Sequence, residues 1–213
     1  MPTQAPTRRR THKKYAPPIW IVLPIVAVAL LAAALIFRAV VLRAHPKPSD
    51  YDLPSWVQEE FLTVNPNSRP GDKLDAVNGV VVHYVGNPGT TAEQNRGYFE
   101  GLAENKEAFA SSNFLVGLDG ETICCVPPDE VAYCSNDRNH DTISIEVCHP
   151  DEAGKFGDKS YDSLVRLTQW AVDTYHLKRD QIIRHYDVTG KECPIYYVKN
   201  PAAWESFLDQ LTF

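Results

Sequence analysis

The sequence predicts an α/β fold in which a central mixed β-sheet carries helices on both faces and is preceded by one N-terminal transmembrane helix. Runs of β-branched residues alternate along the chain with segments that repeat apolar residues at helical spacing, as in α/β domains. An Asp119-Gly120 pair between two apolar runs predicts a hairpin within this alternation. Near the N-terminus, nineteen consecutive residues carry no charge.

The uncharged run covers residues 19–37 and is long enough to span a membrane. At about 1.5 Å per residue it forms roughly 28 Å of helix, close to the hydrocarbon thickness of a bilayer. Five Lys/Arg and no acidic residue precede it, so we expect residues 1–18 to be a basic cytoplasmic tail and the rest of the chain to lie outside. A cleaved signal peptide is the alternative, but Arg38 stands where small residues and a cleavage site would be expected.

The chain beyond residue 43 is strongly acidic. It holds fourteen Lys/Arg and twenty-seven Asp/Glu, a net charge of −13. Nucleic acid is therefore not an expected partner, because phosphate binding relies on clustered basic residues. Residues 38–64 predict a proline-rich stalk with one short helix at 56–63, and residues 65–213 predict the main domain. The sequence leaves the oligomeric state open.

The strands and helices of this domain follow from local patterns. The predicted strands cover residues 80–85, 113–118, 122–126, 142–148 and 181–186. The first is a continuous β-branched run, which is typical of a strand covered on both faces. The predicted helices cover residues 92–107, 160–176 and 201–211. A capping box of Thr90 and Glu93 begins the first helix, Ser160 caps the second, and Asn200-Pro201 begins the third.

The run 184–194 is the most informative part of the chain, because it places two zinc ligand types, His185 and Cys193, eight residues apart. A third candidate, His83, lies at the end of the predicted strand 80–85. Three protein ligands that leave a fourth position to water are typical of catalytic zinc. Taken alone, His83 is more often a buried histidine that the backbone satisfies.

Glu146 lies within the predicted strand 142–148, where a carboxylate is normally paired, metal-bound or functional. One interpretation is an ion pair with Arg138 or Arg184, and the other is a general base. Lys191 stands two residues before Cys193, which directs its ammonium toward the metal in a tight loop; a solvated lysine is the alternative.

All five cysteines follow residue 43, in the part expected to be outside, where disulfides are permitted. With Cys193 reserved for the metal, four remain. A bridge between the neighbours Cys124 and Cys125 would be strained, so crossed pairs between these two and Cys134 and Cys148 are predicted. Free thiols are the alternative.

Five motifs together cover nearly all of residues 65–213. They are SRPG at 68–71, VHYVGNPG at 82–89, SSNF at 111–114 followed by DG at 119–120, ISIE at 143–146, and HYDVTGKECP at 185–194. In these motifs the chain resembles the zinc-dependent N-acetylmuramoyl-L-alanine amidases, the family of phage amidase lysozymes, bacterial autolysins and peptidoglycan recognition proteins.

The resemblance implies a function and a role for each site residue. His83, His185 and Cys193 match the zinc ligands, with Cys193 where many relatives have Asp. Glu146 matches the base of several bacterial members, and Lys191 matches the lysine that stabilises the oxyanion. The implied substrate is peptidoglycan, cleaved between the lactyl group of N-acetylmuramic acid and L-alanine.

Two differences from the family bear on this expectation. Phage-type members carry a catalytic Tyr two residues before the Phe of the hairpin strand, and many relatives have His just before that Phe. Here these positions hold Ser112 and Asn113, which moves the expected base chemistry onto Glu146. The alternative function is a non-catalytic, membrane-anchored peptidoglycan-binding module, although such modules typically lose a metal ligand.

Overall fold

The computed structural model describes the backbone of residues 19–44 and 46–213, and the predicted basic tail, 1–18, lies outside the described residues. The chain divides into two compact units, Met1–Arg43 and Ala44–Phe213. Helix α1, Ile19–Ala44, lies in the first unit except for Ala44 and includes the predicted span 19–37. Over the residues that the structure describes, no helix combines the length and the apolar character needed to cross a bilayer.

The second unit is built around a six-stranded sheet in the order β1-β4-β3-β5-β2-β6. The strands are β1 Val57–Glu59, β2 Val80–Tyr84, β3 Phe114–Val116, β4 Thr122–Cys124, β5 Ile143–Val147 and β6 Ile182–Arg184. Its helices are α2 Ala92–Asn105, α3 Asp158–Tyr175, α4 His185–Thr189, α5 Ile195–Lys199 and α6 Pro201–Leu208. Among neighbouring strands β3 and β4 run antiparallel and the other pairs run parallel, which confirms the mixed sheet.

Helices cover both faces of the sheet, as predicted. On one face, Ile145 of β5 packs in a cluster with Leu167 of α3 and Phe207 of α6. On the other face, Leu115 of β3 packs in a cluster with Phe99 of α2. Strand β2 lies inside the sheet between β5 and β6, as its β-branched sequence predicted.

The predicted short helix at 56–63 is wrong, because this segment extends the sheet. Val57 pairs in parallel register with Thr122, and the amide of Leu62 donates to the Cys125 carbonyl at 2.8 Å. Leu62 is 1% exposed, so burial of its side chain fixes the segment to the domain. The folded unit therefore begins within the predicted stalk 38–64 rather than at residue 65.

Several predicted boundaries shift by a few residues. The capping box of α2 uses Thr91 and Gln94, one residue later than predicted. Helix α3 begins two residues before Ser160, whose hydroxyl donates instead to the Gly117 carbonyl at 2.8 Å. The strand predicted at 181–186 ends at Arg184, because α4 begins at the next residue, His185. The last helix ends at 208, and α5 precedes it without having been predicted.

All five cysteines are free thiols, so the predicted crossed disulfides are absent and the free-thiol alternative is confirmed. Cys124 and Cys125 are consecutive residues that belong to different core clusters, one on each face of the sheet. Cys134 contacts Glu146, and Cys148 packs on the α2 side of the sheet.

Asn113 is a buried polar residue that ties the hairpin to β5 and to the loop after β4. Its Oδ1 accepts from the backbone amide of Ser144 at 2.9 Å and from the Ser144 hydroxyl at 3.0 Å. Its Nδ2 donates to the carbonyls of Pro127 and Glu130, both at 3.1 Å. Asn113 therefore supports the fold. Many members of the family that the motifs resemble carry His at this position.

Replacing Asn113 with Ala is expected to lower the free energy of unfolding by about 2–4 kcal/mol, because buried backbone groups lose their partners. Asn87→Ala, at an exposed position, is the control and should change it by less than about 0.5 kcal/mol. Urea denaturation followed by tryptophan fluorescence measures both. Equal stability of the two variants would contradict this role.

Candidate metal centre

The candidate site lies at the carboxyl ends of three adjacent parallel strands, where ligands commonly bind in α/β sheets. His83 of β2 is the register partner of Glu146 in β5. His185 is the first residue of α4, directly after β6, which pairs with the other side of β2. Glu146 and His185 follow His83 by about sixty and a hundred residues, yet all three meet at the carboxyl ends of the strands.

Three donor atoms converge at this edge. His83 Nδ1 lies 3.2 Å from His185 Nδ1 and 3.8 Å from Cys193 Sγ, and the three donor atoms are all within 4.8 Å of one another. Tetrahedral zinc bonds place two nitrogen ligands about 3.3 Å apart and a nitrogen and a sulfur about 3.6 Å apart. The donor set thus fits a zinc ion in both chemistry and spacing.

The other nitrogen of each imidazole has its own partner. His185 Nε2 donates to Asn136 Oδ1 at 2.8 Å, and His83 Nε2 hydrogen-bonds with Ser135 Oγ at 3.1 Å. Such outer contacts orient the rings, and the one with the Asn136 oxygen selects the His185 tautomer that leaves Nδ1 free to bind metal. When one Nδ1 carries a proton, the two imidazoles share a hydrogen bond of 3.2 Å. When neither does, the two lone pairs repel each other unless a cation lies between them.

The protonation states also suit a cation. Burial and the charges of His185 and Lys191 hold the pKa of His83 well below its usual value, and burial and Lys191 lower the pKa of His185. Both imidazoles are therefore neutral at pH 7, which is the form that binds metal. Burial raises the pKa of the Cys193 thiol to about 12, so an arriving ion must displace its proton.

Glu146 has no ion-pair partner among residues 46–213. Arg138 pairs with Asp141 and Arg184 pairs with Asp187, both at 2.7 Å, so the predicted alternative of an ion pair with Glu146 is wrong. Glu146 Oε1 accepts from the Cys134 thiol at 3.5 Å, whereas Oε2 is buried without a hydrogen-bond partner in the described part of the chain. Burial raises the pKa of this carboxyl to about 8.

Lys191 lies on the loop that connects α4 with Cys193. Gly190 ends α4 with a φ of 79°, a left-handed conformation that glycine adopts without strain, and the amide of Tyr186 donates to the Cys193 carbonyl at 2.9 Å. This closes the loop. Lys191 is exposed at the wall of the site cavity, and within residues 46–213 its ammonium forms no ion pair.

The five predicted site residues line one cavity of about 270 Å³. A second cavity of about 370 Å³ shares Glu146 and Phe99 with it and follows α2 past Tyr98. The cleft therefore continues away from the three donor atoms along helix α2.

The sequence analysis missed the loop from Tyr133 to Asn136. Tyr133 lines the cavity, Cys134 contacts Glu146, and the next two residues hold the imidazoles. The sequence pattern indicates a role only for Cys134 in this loop, as a partner in a disulfide. Ser112 is buried, and its hydroxyl donates to the Phe114 carbonyl within the hairpin strand.

Comparison with known proteins agrees with the motifs. A family model described as N-acetylmuramoyl-L-alanine amidase matches residues 73–195. A probable N-acetylmuramoyl-L-alanine amidase of Bacillus licheniformis is 32% identical over 163 residues, which cover 71% of this chain and 46% of that protein. The amidase BlyA of Bacillus subtilis is 31% identical and covers 71% of this chain and 45% of that protein. The chain thus spans about half the length of these curated relatives.

Solved structures share the fold. A mutant endolysin from Bacillus subtilis superposes with a TM-score of 0.61 and 24% identity, over 73% of this chain and 98% of that one. The catalytic domain of XlyA gives the same TM-score and identity over 73% of this chain and 99% of that one. At this identity the structures establish the fold alone. On the strength of the family match and the curated relatives, the chain belongs to the N-acetylmuramoyl-L-alanine amidase family.

Proposed function

We propose that residues 46–213 form a zinc-dependent amidase that hydrolyses peptidoglycan. The bond cleaved is the amide between the lactyl group of N-acetylmuramic acid and the L-alanine of the stem peptide. The family supplies the reaction class, and its members among the relatives are named for this activity. The specific roles of the site residues are part of the proposal.

One observation carries it: three zinc-type donors and a buried carboxylate with a free oxygen line the same cavity. A structural core histidine needs only hydrogen-bond partners, and each imidazole here already has one at Nε2. The two Nδ1 atoms and the Cys193 sulfur are then left to bind a cation. His83, His185 and Cys193 are accordingly the proposed zinc ligands.

Zinc bound by three protein ligands would supply Lewis acidity, lowering the pKa of water and polarising a carbonyl oxygen. Glu146 is the proposed general base, because its Oε2 has no hydrogen-bond partner within the described chain and a zinc ion bound nearby would favour the ionised form that accepts a proton from water. Once protonated, the same carboxyl can return the proton to the departing amine of L-alanine.

Lys191 is proposed to stabilise the negative charge that develops on the carbonyl oxygen. Its side chain borders the cavity and is not engaged by an acidic neighbour, since the adjacent Glu192 pairs with Lys199 at 3.3 Å. One such donor typically contributes about 3 kcal/mol to a transition state.

A non-catalytic peptidoglycan-binding module is the competing function. It would need the cleft but neither the metal nor a base. The retention of all three donors, together with Glu146 held in the sheet at a cost in stability, favours catalysis.

We also propose that residues 19–37 anchor the chain in the cell membrane as a single-pass segment, with the amidase domain on the extracytoplasmic side. This part of the proposal is supported by the sequence, which has nineteen uncharged residues after a basic tail.

The metal proposal predicts distinct zinc contents for variants of Cys193. Wild-type chain should contain one zinc ion per chain, Cys193→Ala should contain none after dialysis, and Cys193→Asp should retain zinc because carboxylates also bind it. Cys125→Ala, a buried thiol on the α2 side of the sheet, is the matched control and should retain zinc. Elemental analysis measures all four; stoichiometric zinc in Cys193→Ala refutes the assignment.

Glu146→Gln should lower hydrolysis of purified peptidoglycan by about 10²–10⁴-fold, because the amide cannot accept the proton. Zinc content should be unchanged. The control Glu104→Gln, at an exposed position on α2, should leave the rate unaltered. The assay counts newly freed L-alanine amino termini. Full activity in Glu146→Gln would remove the residue from the mechanism.

If residues 19–37 anchor the chain, the full chain should sediment with bacterial membranes, remain there in high salt and be released by detergent. A chain starting at residue 46 should not sediment. Release of the full chain by salt alone would count against a membrane span.

A further inference from the structure

Cys134 is a second thiol in the metal centre that the proposed mechanism does not use. It donates to Glu146 Oε1 at 3.5 Å. Ligand atoms of His83, Cys134 and Glu146 lie within 4.8 Å of one another, so these residues form a second set with the spacing of a metal site. Imidazole, thiolate and carboxylate are the three side-chain ligand types that zinc accepts.

An independent observation points to a ligand at this position. Glu146 Oε2 is buried and has no hydrogen-bond partner among residues 46–213, although an unpaired buried carboxylate oxygen is costly. Both Cys134 and Glu146 line the cavity that also contains the first donor set. A cation that entered this cavity would therefore meet a free carboxylate oxygen beside a thiol.

We propose that Cys134 and Glu146 bind a second zinc ion, next to the one held by His83, His185 and Cys193, and that this second ion inhibits the enzyme. Both sets include His83, so the two ions would be neighbours in one cavity. Because His83 Nδ1 binds the first ion and Nε2 bonds with Ser135, only Cys134 and Glu146 would bind the second ion. The inhibitory effect rests on the proposed function, because it arises when Glu146 becomes a metal ligand and no longer accepts a proton.

The second position should be the weaker of the two. Cys134 and Glu146 are its only new protein ligands, whereas three residues hold the first ion. Binding also releases the Cys134 proton to solvent. Zinc should therefore fill the first position completely before the second, and inhibition should require zinc in excess over the chain.

The loop that carries Cys134 is fixed by contacts that do not involve its side chain. Asn139 Oδ1 accepts from the backbone amides of Cys134 and Ser135 at 3.1 and 2.6 Å. Replacement of the thiol by a hydroxyl should consequently leave the loop in place. Cys134→Ser is the suitable test variant, because serine keeps the size of the side chain and is a poor zinc ligand.

The test is a zinc titration of metal-free full chain in detergent, followed by elemental analysis and by cobalt substitution. With zinc in excess over the chain, wild type should bind two ions per chain, and Cys134→Ser and Glu146→Gln should each bind one. With cobalt, the second equivalent should increase the thiolate-to-cobalt charge-transfer absorption of wild type but not of Cys134→Ser. Cys148→Ser, a buried thiol on the α2 side of the sheet, is the control and should behave as wild type.

Activity gives a second readout. At saturating zinc, wild-type hydrolysis should fall about a hundredfold or more from its value at one equivalent, because the contribution of the base is lost. In Cys134→Ser the ratio of the two rates should stay near one. A single ion in wild type at excess zinc overturns this proposal and leaves the amidase proposal standing. No bound ion at all overturns both, and a second ion retained in Cys134→Ser refutes the assigned ligands.

Discussion

The parallel pairing of β2 with β5 on one side and β6 on the other is the constraint on which the site depends. It sets His83 opposite Glu146 and brings His185 to the same edge from the next strand. A slip of one residue in either pairing would turn each side chain to the opposite face of the sheet. The buried apolar residues of β2 and β5, which occupy the other face, exclude that slip. The packing of the core therefore also fixes the geometry of the donors.

Glu146 lowers the stability of the domain by its burial, and it leaves one carboxylate oxygen without a partner among the described residues of the site cavity. Two arginines lie close in sequence to the site, yet each is held by an aspartate three residues away, which leaves the buried carboxylate without a counter-charge. An uncompensated carboxylate costs several kcal/mol when ionised, and this cost appears as a raised pKa. A nearby cation would offset it. The carboxylate and the proposed metal ligands would thus be coupled electrostatically through a bound cation, although they lie on different elements.

Much of this organisation could be predicted from local sequence patterns. The strand of β-branched residues, the Asp-Gly hairpin and the run 184–194 each carry their own signal. These patterns predict the sheet and the five candidate residues, which the structure brings to one cavity. The edge strand β1 was mistaken for a helix, because its three residues have too short a pattern to reveal their pairing with β4. The loop from Tyr133 to Asn136 has no periodicity, and its role comes entirely from long-range contacts with the imidazoles and Glu146.

Both margins of the sheet are formed by strands of only three residues. β1 and β6 contain three residues each, and helix α4 follows β6 without a gap. Sheets of different molecules join through the unpaired N–H and C=O groups of their edge strands. An edge strand of three residues offers few such groups to the strand of another molecule. The sheet therefore offers neighbouring copies of this domain little backbone with which to extend it.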